Sequence, residues 1–543
     1  MQESGECAVC QLPASQRCGA CREVFYCTRE HQKQDWSRGH KARCRKKENS
    51  YAIHEDAVLG RYLVATRDIN AGEVIIREVP IIEAPAQFTP PVCVICYESL
   101  TPDNARACDR CGWPSCNDCW IQLSKEPHAY AECTITSEAG RKVNINVFDQ
   151  HHPSYQSLGV LRCLQLRDYN PQAWKALMAL QTHCEKRQTT TGYASDRSTV
   201  CNFVLNYMKL SERGFTENDI LKVCGALQIN GQEVPSTNPP HMALYSDTSF
   251  LQHCCIPNCS RHFVHTARGN YILEIRALRA IPQGQNLSIC YTDPLWTTEN
   301  RRMQLQETKY FDCTCERCAD PRELGSMMSA VRCMSTARCL GFALPTAPLE
   351  PKSSWRCDVC SAEIPHQMVE ELLARLGAEL AALPQGDCDA IEAFVSRVSG
   401  SQLHPNHQYM TDVRLALIQM WGHRCGPGGL GSEPDHVVAA KLRACEQLKA
   451  IADILAPGPT ALRGLILMEL QSAKAEESRR RLICGELDPP GLRASLMESR
   501  RLLVEAVEIL KLEAASPQDR EQAQRACRSL IELDAFMKAL PKS

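Results

Sequence analysis

The chemistry in this 543-residue chain is concentrated in thiols and imidazoles. Many of its 33 cysteines stand in Cys-x-x-Cys pairs or close to a histidine, the spacing of ligands for tetrahedral zinc. Cys7, Cys10, Cys18, Cys21, Cys27, His31, His40 and Cys44 offer eight ligands, enough for two sites. Cys93, Cys96, Cys108, Cys111, Cys116, Cys119, His128 and Cys133 offer eight more, with their pairing left open. Cys313, Cys315 and Cys318 supply three thiolates. A closed zinc site needs four, and Cys255 is the candidate fourth. Cys333, Cys339, Cys357 and Cys360 form a set like that of a zinc ribbon. Six zinc ions would use all 24 of these ligands, 21 Cys and 3 His. Such sites also supply folding energy, which short segments like residues 7–44 cannot get from a hydrophobic core. Gln252 and His253 stand just before Cys255, and Ile256-Pro257-Asn258 just after it favours a rigid turn. If Cys255 joins the Cys313 triplet, the cleft beside this turn is a candidate active site.

The elements that must hold these groups can be read from periodicity and breakers. Leu59–Thr66 and Ile69–Ile76 read as turn-and-strand units, Lys142–Val147 as another strand, and Phe263–Thr266 with Tyr271–Ala277 as a hairpin about Arg268-Gly269-Asn270. Residues 153–230 carry helical spacing, with Asn170-Pro171 opening one helix, Val200–Leu210 another, and Thr216 with Asp219 capping a third. Cys184, Cys201 and Cys224 fit there as small buried apolar residues. From Pro365 onward the pattern is helical throughout. It is broken at Gly426-Pro427-Gly428-Gly429 and Asp488-Pro489-Pro490, and Ser516-Pro517 with Asp519 starts the last helix. Stacked antiparallel helix pairs, similar in architecture to TPR arrays, are expected.

The balance of 61 basic and 63 acidic residues gives no global pull toward nucleic acid or anionic membrane. The basic run at Lys41, Arg43, Arg45, Lys46 and Lys47 reads as a solvated face. No apolar run reaches membrane-spanning length, and MQESGECAVC does not read as a signal peptide. The expected location is nucleus and cytoplasm, where cysteines bind metal rather than form disulfides.

Two resemblances join these features. Phe25-Tyr26-Cys27, Gln32-x-x-x-Trp36 and His40-Lys41, within the first ligand set, look like a MYND zinc finger. That resemblance implies interleaved sites, Cys7, Cys10, Cys27 and His31 against Cys18, Cys21, His40 and Cys44, with His31 where the family usually has Cys. It also implies docking of proline-rich or corepressor peptides. Gly60-Arg61-Tyr62, Gln252-His253-Cys254-Cys255-Ile256-Pro257-Asn258, the hairpin, Gly284-Gln285-Asn286, Tyr291 and Cys313-x-Cys315-x-x-Cys318 follow in the order of a SET methyltransferase domain. A finger inserted within SET resembles the SET and MYND domain (SMYD) family. The second cysteine cluster takes that position, with a further finger N-terminal to it, as in the arthropod SmydA-type branch.

The SET resemblance implies S-adenosylmethionine as cofactor and Tyr291 as the catalytic phenol. It places Gly60, Arg61, Tyr62, Gln252, His253 and Tyr291 at the cofactor, stacks Phe311 on its adenine, and has Asn258 brace the turn. Gln252 departs from the family's Asn, Gln285-Asn286 from its carboxylates, and Tyr62 from a Gly.

The expected fold is multidomain α+β: a SET β-fold with helical insert, zinc-finger modules and an all-α TPR-like C-terminal domain. The expected boundaries are 1–50 MYND finger, 51–92 first SET part, 93–135 inserted zinc module, and 136–240 SET strand and helical insert. They continue with 241–300 catalytic SET part, 301–320 post-SET zinc motif, 321–362 zinc ribbon-like unit and 363–543 helical domain. The expected activity is a protein-lysine methyltransferase, with histones as a candidate substrate, in negative regulation of gene expression. Its partners would be a lysine-bearing protein substrate and peptides on the finger, without membrane or nucleic acid. The alternative is a SET/MYND scaffold that recruits corepressors or other proteins with little catalysis.

Overall fold

Two compact units divide the chain: residues 1–69 with 282–286, and residues 70–281 with 287–543. The computed structural model describes residues 5–14, 16–18, 24–41, 44, 49–57, 60–124, 128–265, 271–422 and 426–540. Cys21, the whole basic run after Lys41, and the hairpin turn at 266–270 lie outside the described residues.

In the smaller unit, Phe25–Tyr26 pairs with Gln16–Arg17. Tyr26 is fully buried and its hydroxyl donates to Asp35 Oδ2 at 2.7 Å. The helix Arg29–Asp35 starts on Thr28, whose side chain accepts from the His31 amide; this capping sets His31 one turn from Cys27. Strands Tyr51–Asp56 and Gly60–Ala65 pair antiparallel. Gly60 enters its strand at φ +66°, a conformation that favours glycine. Tyr62 faces His54 across the pair, ring centroids 6.0 Å apart. Residues 282–286 close on the strand end: Ala65 donates to the Gln285 carbonyl at 2.9 Å and Gly284 to the Ala65 carbonyl at 2.8 Å.

The larger unit contains a three-stranded antiparallel sheet of Val74–Glu78, Tyr271–Ala277 and Cys259–His265, with Tyr271–Ala277 central. A second sheet orders Ile82–Ala84, His241–Leu244 and Gln232–Val234. A four-stranded meander, Val331–Arg332 to Glu363–Ile364, carries the ribbon-like cysteines. Two sequence expectations fail. Lys142–Val147 forms no strand: a backbone bond from the Val143 N–H to the Cys111 carbonyl at 2.8 Å sends it along a cysteine loop rather than beside a strand. That approach explains Gly112, where a Cβ would lie 2.1 Å from the Val143 oxygen. Val200–Leu210 is not one helix; wide π-type turns at Asp196–Cys201 and Phe203–Tyr207 give way to a left-handed Lys209.

The helical insert packs Tyr155–Tyr169 against Glu217–Asn230, the latter begun by a Thr216/Asp219 capping box. Leu158, Leu161, Leu164, Val223 and Leu227 are buried between them. Around this core sits a charged hub. Arg162, 2% exposed, donates to both oxygens of fully buried Glu132 at 2.9 and 2.7 Å, and to the Val94 and Glu83 carbonyls at 2.6 and 2.7 Å. Glu132 also bonds His128 Nδ1 at 2.9 Å.

The C-terminal region is the expected run of long helices: Gln408–Met420, Asp435–Leu455, Ala461–Ile483, Pro489–Leu512 and Pro517–Ala539, the last capped by Ser516 and Asp519. Leu467, Leu503, Ala506 and Ala526 form its dry seam.

Removing one partner of a buried charge pair strands the other. Arg162→Met should therefore destabilise the larger unit by about 3–5 kcal/mol, seen as an earlier urea unfolding transition. An unchanged midpoint would show that the hub contributes nothing.

Candidate functional site

The candidate site, in the larger unit, is built around two short strands. Gln252–His253 runs parallel to Ser288–Ile289. Parallel neighbours need a crossover, and here residues 254–287 supply it. Buried Asn258 secures the crossing. Its Oδ1 accepts from the Ser288 amide at 2.8 Å and hydroxyl at 3.2 Å, and its carbonyl accepts from the Leu278 amide at 2.8 Å. An apolar side chain could not accept the two bonds from Ser288. Upstream, Glu78 at the end of strand Val74–Glu78 receives the amides of Ser246, Asp247 and Thr248 at 2.7, 2.9 and 2.9 Å. This cradle starts the short 3-10 turn Thr248–Phe250 and so sets where Gln252 begins. Burial nevertheless raises the Glu78 pKa.

Cys255, Cys313, Cys315 and Cys318 converge, with their sulfur atoms within 4.8 Å of one another. This donor set fits zinc. Four thiolates around a divalent ion keep a net negative charge, and the surroundings answer it. Arg301 is fully buried on helix Thr298–Lys309. Its Nε donates to Cys255 Sγ at 3.2 Å, its Nη2 to Cys318 Sγ at 3.4 Å and its Nη1 to Glu323 at 2.8 Å. Arg317 donates to the same carboxylate at 3.0 Å. No spacing rule pointed to Arg301; only its place inside a ligand-rich segment could have done so.

The metal centre is wired to Tyr291 through His253. The Tyr291 amide donates to His253 Nδ1 at 3.0 Å, so the ring proton sits on Nε2, which faces Cys255 Sγ at 3.2 Å. Burial depresses the His253 pKa to about 4, which keeps the ring neutral. Both ring nitrogens are thus committed within the chain, so the imidazole positions Tyr291 and Cys255. The Tyr291 hydroxyl donates to the Leu251 carbonyl, and burial pushes its pKa up to about 12. It is a neutral phenol at physiological pH. Phe311 lies 6.0 Å from the His253 ring, and Lys309 Nζ lies 5.7 Å from the Tyr291 ring.

Gly60, Arg61 and Tyr62 belong to the smaller unit. There Cys7, Cys10, Cys27 and His31 gather into one cluster. Cys18 Sγ lies 3.6 Å from Cys44 Sγ, beside buried His40. The second module, whose pairing the spacing left open, interleaves in the same way. Cys93, Cys96, Cys116 and Cys119 form one cluster, and Cys108, Cys111, His128 and Cys133 the other. Cys333, Cys339, Cys357 and Cys360 also converge.

Comparison with known proteins finds two family models and several relatives similar to this chain. The SET-domain family model matches residues 60–292 and the MYND-finger model residues 7–44. The SET domain-containing protein SmydA-8, isoform A, of Drosophila melanogaster is 28% identical over 330 residues, 59% of this chain and 67% of that protein. Human histone-lysine N-methyltransferase SMYD3 is 40% identical over 96 residues, 18% of this chain and 21% of its own length. Human N-lysine methyltransferase SMYD2 is 30% identical over 117 residues, 21% and 26% of the two chains.

Groups that hydrogen-bond to metal ligands tune affinity by about 10–100-fold. Arg301→Ala should weaken zinc at the Cys255 site by that range in competition with a chromophoric chelator, leaving the other sites unaffected. Uniform zinc loss, or none, would contradict the role given to Arg301.

Proposed function

Since the chain belongs to the SET and MYND domain-containing (SMYD) family, on its arthropod SmydA-like branch, we propose that it is an S-adenosylmethionine-dependent protein-lysine methyltransferase. The observation that carries this reading is the linked set Tyr291, His253 and Cys255: a neutral phenol fixed by a neutral imidazole to a buried four-cysteine cluster. Relatives named as histone-lysine and N-lysine methyltransferases support it.

The bound cofactor supplies an electrophilic methyl group on a sulfonium. The chain must then hold the donor, present a neutral amine in line and keep water out. A free lysine amine titrates near ~10.4, so a desolvated site has to favour its uncharged form. We assign Tyr291 to orient the amine. Phe311 offers an aromatic ring on which the adenine would stack, and His253 would lie with Gln252 toward the amino-acid end of the cofactor. Gln252 reaches the cofactor's amino-acid end with one more methylene than the family's Asn. Its backbone is already set by the bond from its amide to the Leu287 carbonyl at 3.3 Å.

On the same reading the N-terminal finger, residues 1–50, docks proline-rich or corepressor peptides, and the helical domain, 363–543, stands beyond the post-SET and ribbon motifs. Histone substrates, a role in negative regulation of gene expression, and residence in nucleus and cytoplasm complete the proposal. A non-catalytic scaffold is the competing reading. What favours it is that Gln252, Gln285-Asn286 and Tyr62 depart from the family's Asn, carboxylates and Gly, and together these departures weaken the case for efficient cofactor binding.

Calorimetry with S-adenosylmethionine separates the two, because the enzyme binds it and the scaffold does not even at millimolar cofactor. With binding shown, Tyr291→Phe should lower kcat for methyl transfer by about 10²-fold or more with cofactor affinity retained. A Phe variant as fast as the wild type would remove the role given to the phenol.

A further inference from the structure

Lys309 is the last residue of helix Thr298–Lys309, and Tyr310, at φ +60°, turns the chain sharply away after it. That turn leaves the Lys309 side chain on the Tyr291 ring, with Nζ 5.7 Å from the ring centroid. The amine is held there by the Ile229 carbonyl at 2.7 Å. Ile229 lies in the last turn of helix Glu217–Asn230, where unpaired carbonyls and the helix dipole favour a cation. A second cation, Arg261 of strand Cys259–His265, acts on both Tyr291 and Lys309. Its Nη1 is fixed to Gln232 Oε1 at 2.5 Å. Lys186, which donates to the Tyr310 carbonyl at 2.8 Å, adds a third to the same neighbourhood. The Tyr291 ring therefore has the His253 ring, 5.3 Å away between centroids, and the Lys309 ammonium beside it. Burial and the like charge of Arg261 push the Lys309 pKa down to about 8, so at neutral pH its amine remains mostly charged.

Methyl transfer moves positive charge. The sulfonium becomes a neutral thioether as its methyl–sulfur bond breaks and the electron pair returns to sulfur. The acceptor nitrogen gains the methyl and the positive charge, then releases a proton to solvent. If Tyr291 orients that nitrogen, as proposed above, the charge arrives next to Lys309.

Resting on that reading, we infer that Lys309 is an internal charge brake: its ammonium, pinned on the Tyr291 ring by the Ile229 carbonyl, opposes the growth of positive charge on an acceptor lysine. Lys309 acts through its charge alone; it neither donates nor accepts the methyl group. The Lys309–Ile229 bond would also serve as a plain helix-end contact, so the test must distinguish charge from structure.

The experiment uses the full zinc-loaded chain, methyl-labelled S-adenosylmethionine, and purified core histones together with a lysine-centred peptide library as acceptors. Lys309→Met removes the charge, Lys309→Gln removes it while keeping a donor for Ile229, and Lys309→Arg keeps it. Cofactor binding is measured by calorimetry for all four proteins. The inference expects kcat/KM to rise by about tenfold or more in the Met or Gln variant, the change that one pKa unit of interaction represents, with Arg staying near wild type. Cofactor binding with no rise in either neutral variant overturns the brake alone. An equal rise in the Arg variant also overturns it, because loss of the helix-end contact would then be the cause. Absence of cofactor binding in every protein overturns the methyltransferase reading and the brake with it.

Discussion

The hydrogen bonds received by one buried sulfur, Cys255 Sγ, set the geometry of the candidate site. A thiolate out of water is tolerable only if its charge is answered, by metal and by donors. Arg301 and His253 both direct an N–H at it. Each of those donors has a second task. Arg301 carries the buried Glu323, and His253 receives the backbone amide of Tyr291. A single electrostatic requirement thus fixes a helix, a loop and the phenol at once.

The same solution recurs in the inserted zinc module. His128, in the Cys108 cluster, bonds Glu132, and Glu132 is held by Arg162, which reaches back to the carbonyls of Val94 and Glu83. In both places a buried ion pair next to metal ligands ties a cysteine cluster to a helix. Apolar packing alone would leave such small clusters free to shift against the elements they border. Charge-assisted bonds are directional, so they also specify orientation.

Much of the plan was legible in the sequence because its signals are local. Cys-x-x-Cys spacing, the Thr216/Asp219 and Ser516/Asp519 caps, and the breakers between C-terminal helices all act within one turn or loop. Two failures show the limit of that reading. Lys142–Val147 alternates like a strand, but pairing needs a neighbouring strand, and its backbone bonds the Cys111 loop instead. Val200–Leu210 has helical spacing, but an apolar pattern cannot distinguish an α-helix from the wider turns found there. The interleaving of the second module was equally hidden, since eight ligands in a row permit several pairings and only the folded loop selects one.

The sequence by itself determined the ligand inventory, the order of elements and the family resemblance, because these depend on residue type and spacing. It also supplied Cys255 as the partner of Cys313, Cys315 and Cys318, by counting ligands against what zinc requires. Tertiary structure alone decided what surrounds that centre: Arg301 on its sulfurs, Glu78 under the turn at 246–248, the tautomer of His253 and Lys309 over the ring of Tyr291. These are contacts between residues up to about 170 positions apart, as with Glu78 and Thr248, and each depends on how helix ends and strand crossings meet. Charge at the candidate site is therefore a property of the fold: its basic residues are ordinary surface types in sequence, and being held close to a phenol gives them consequence.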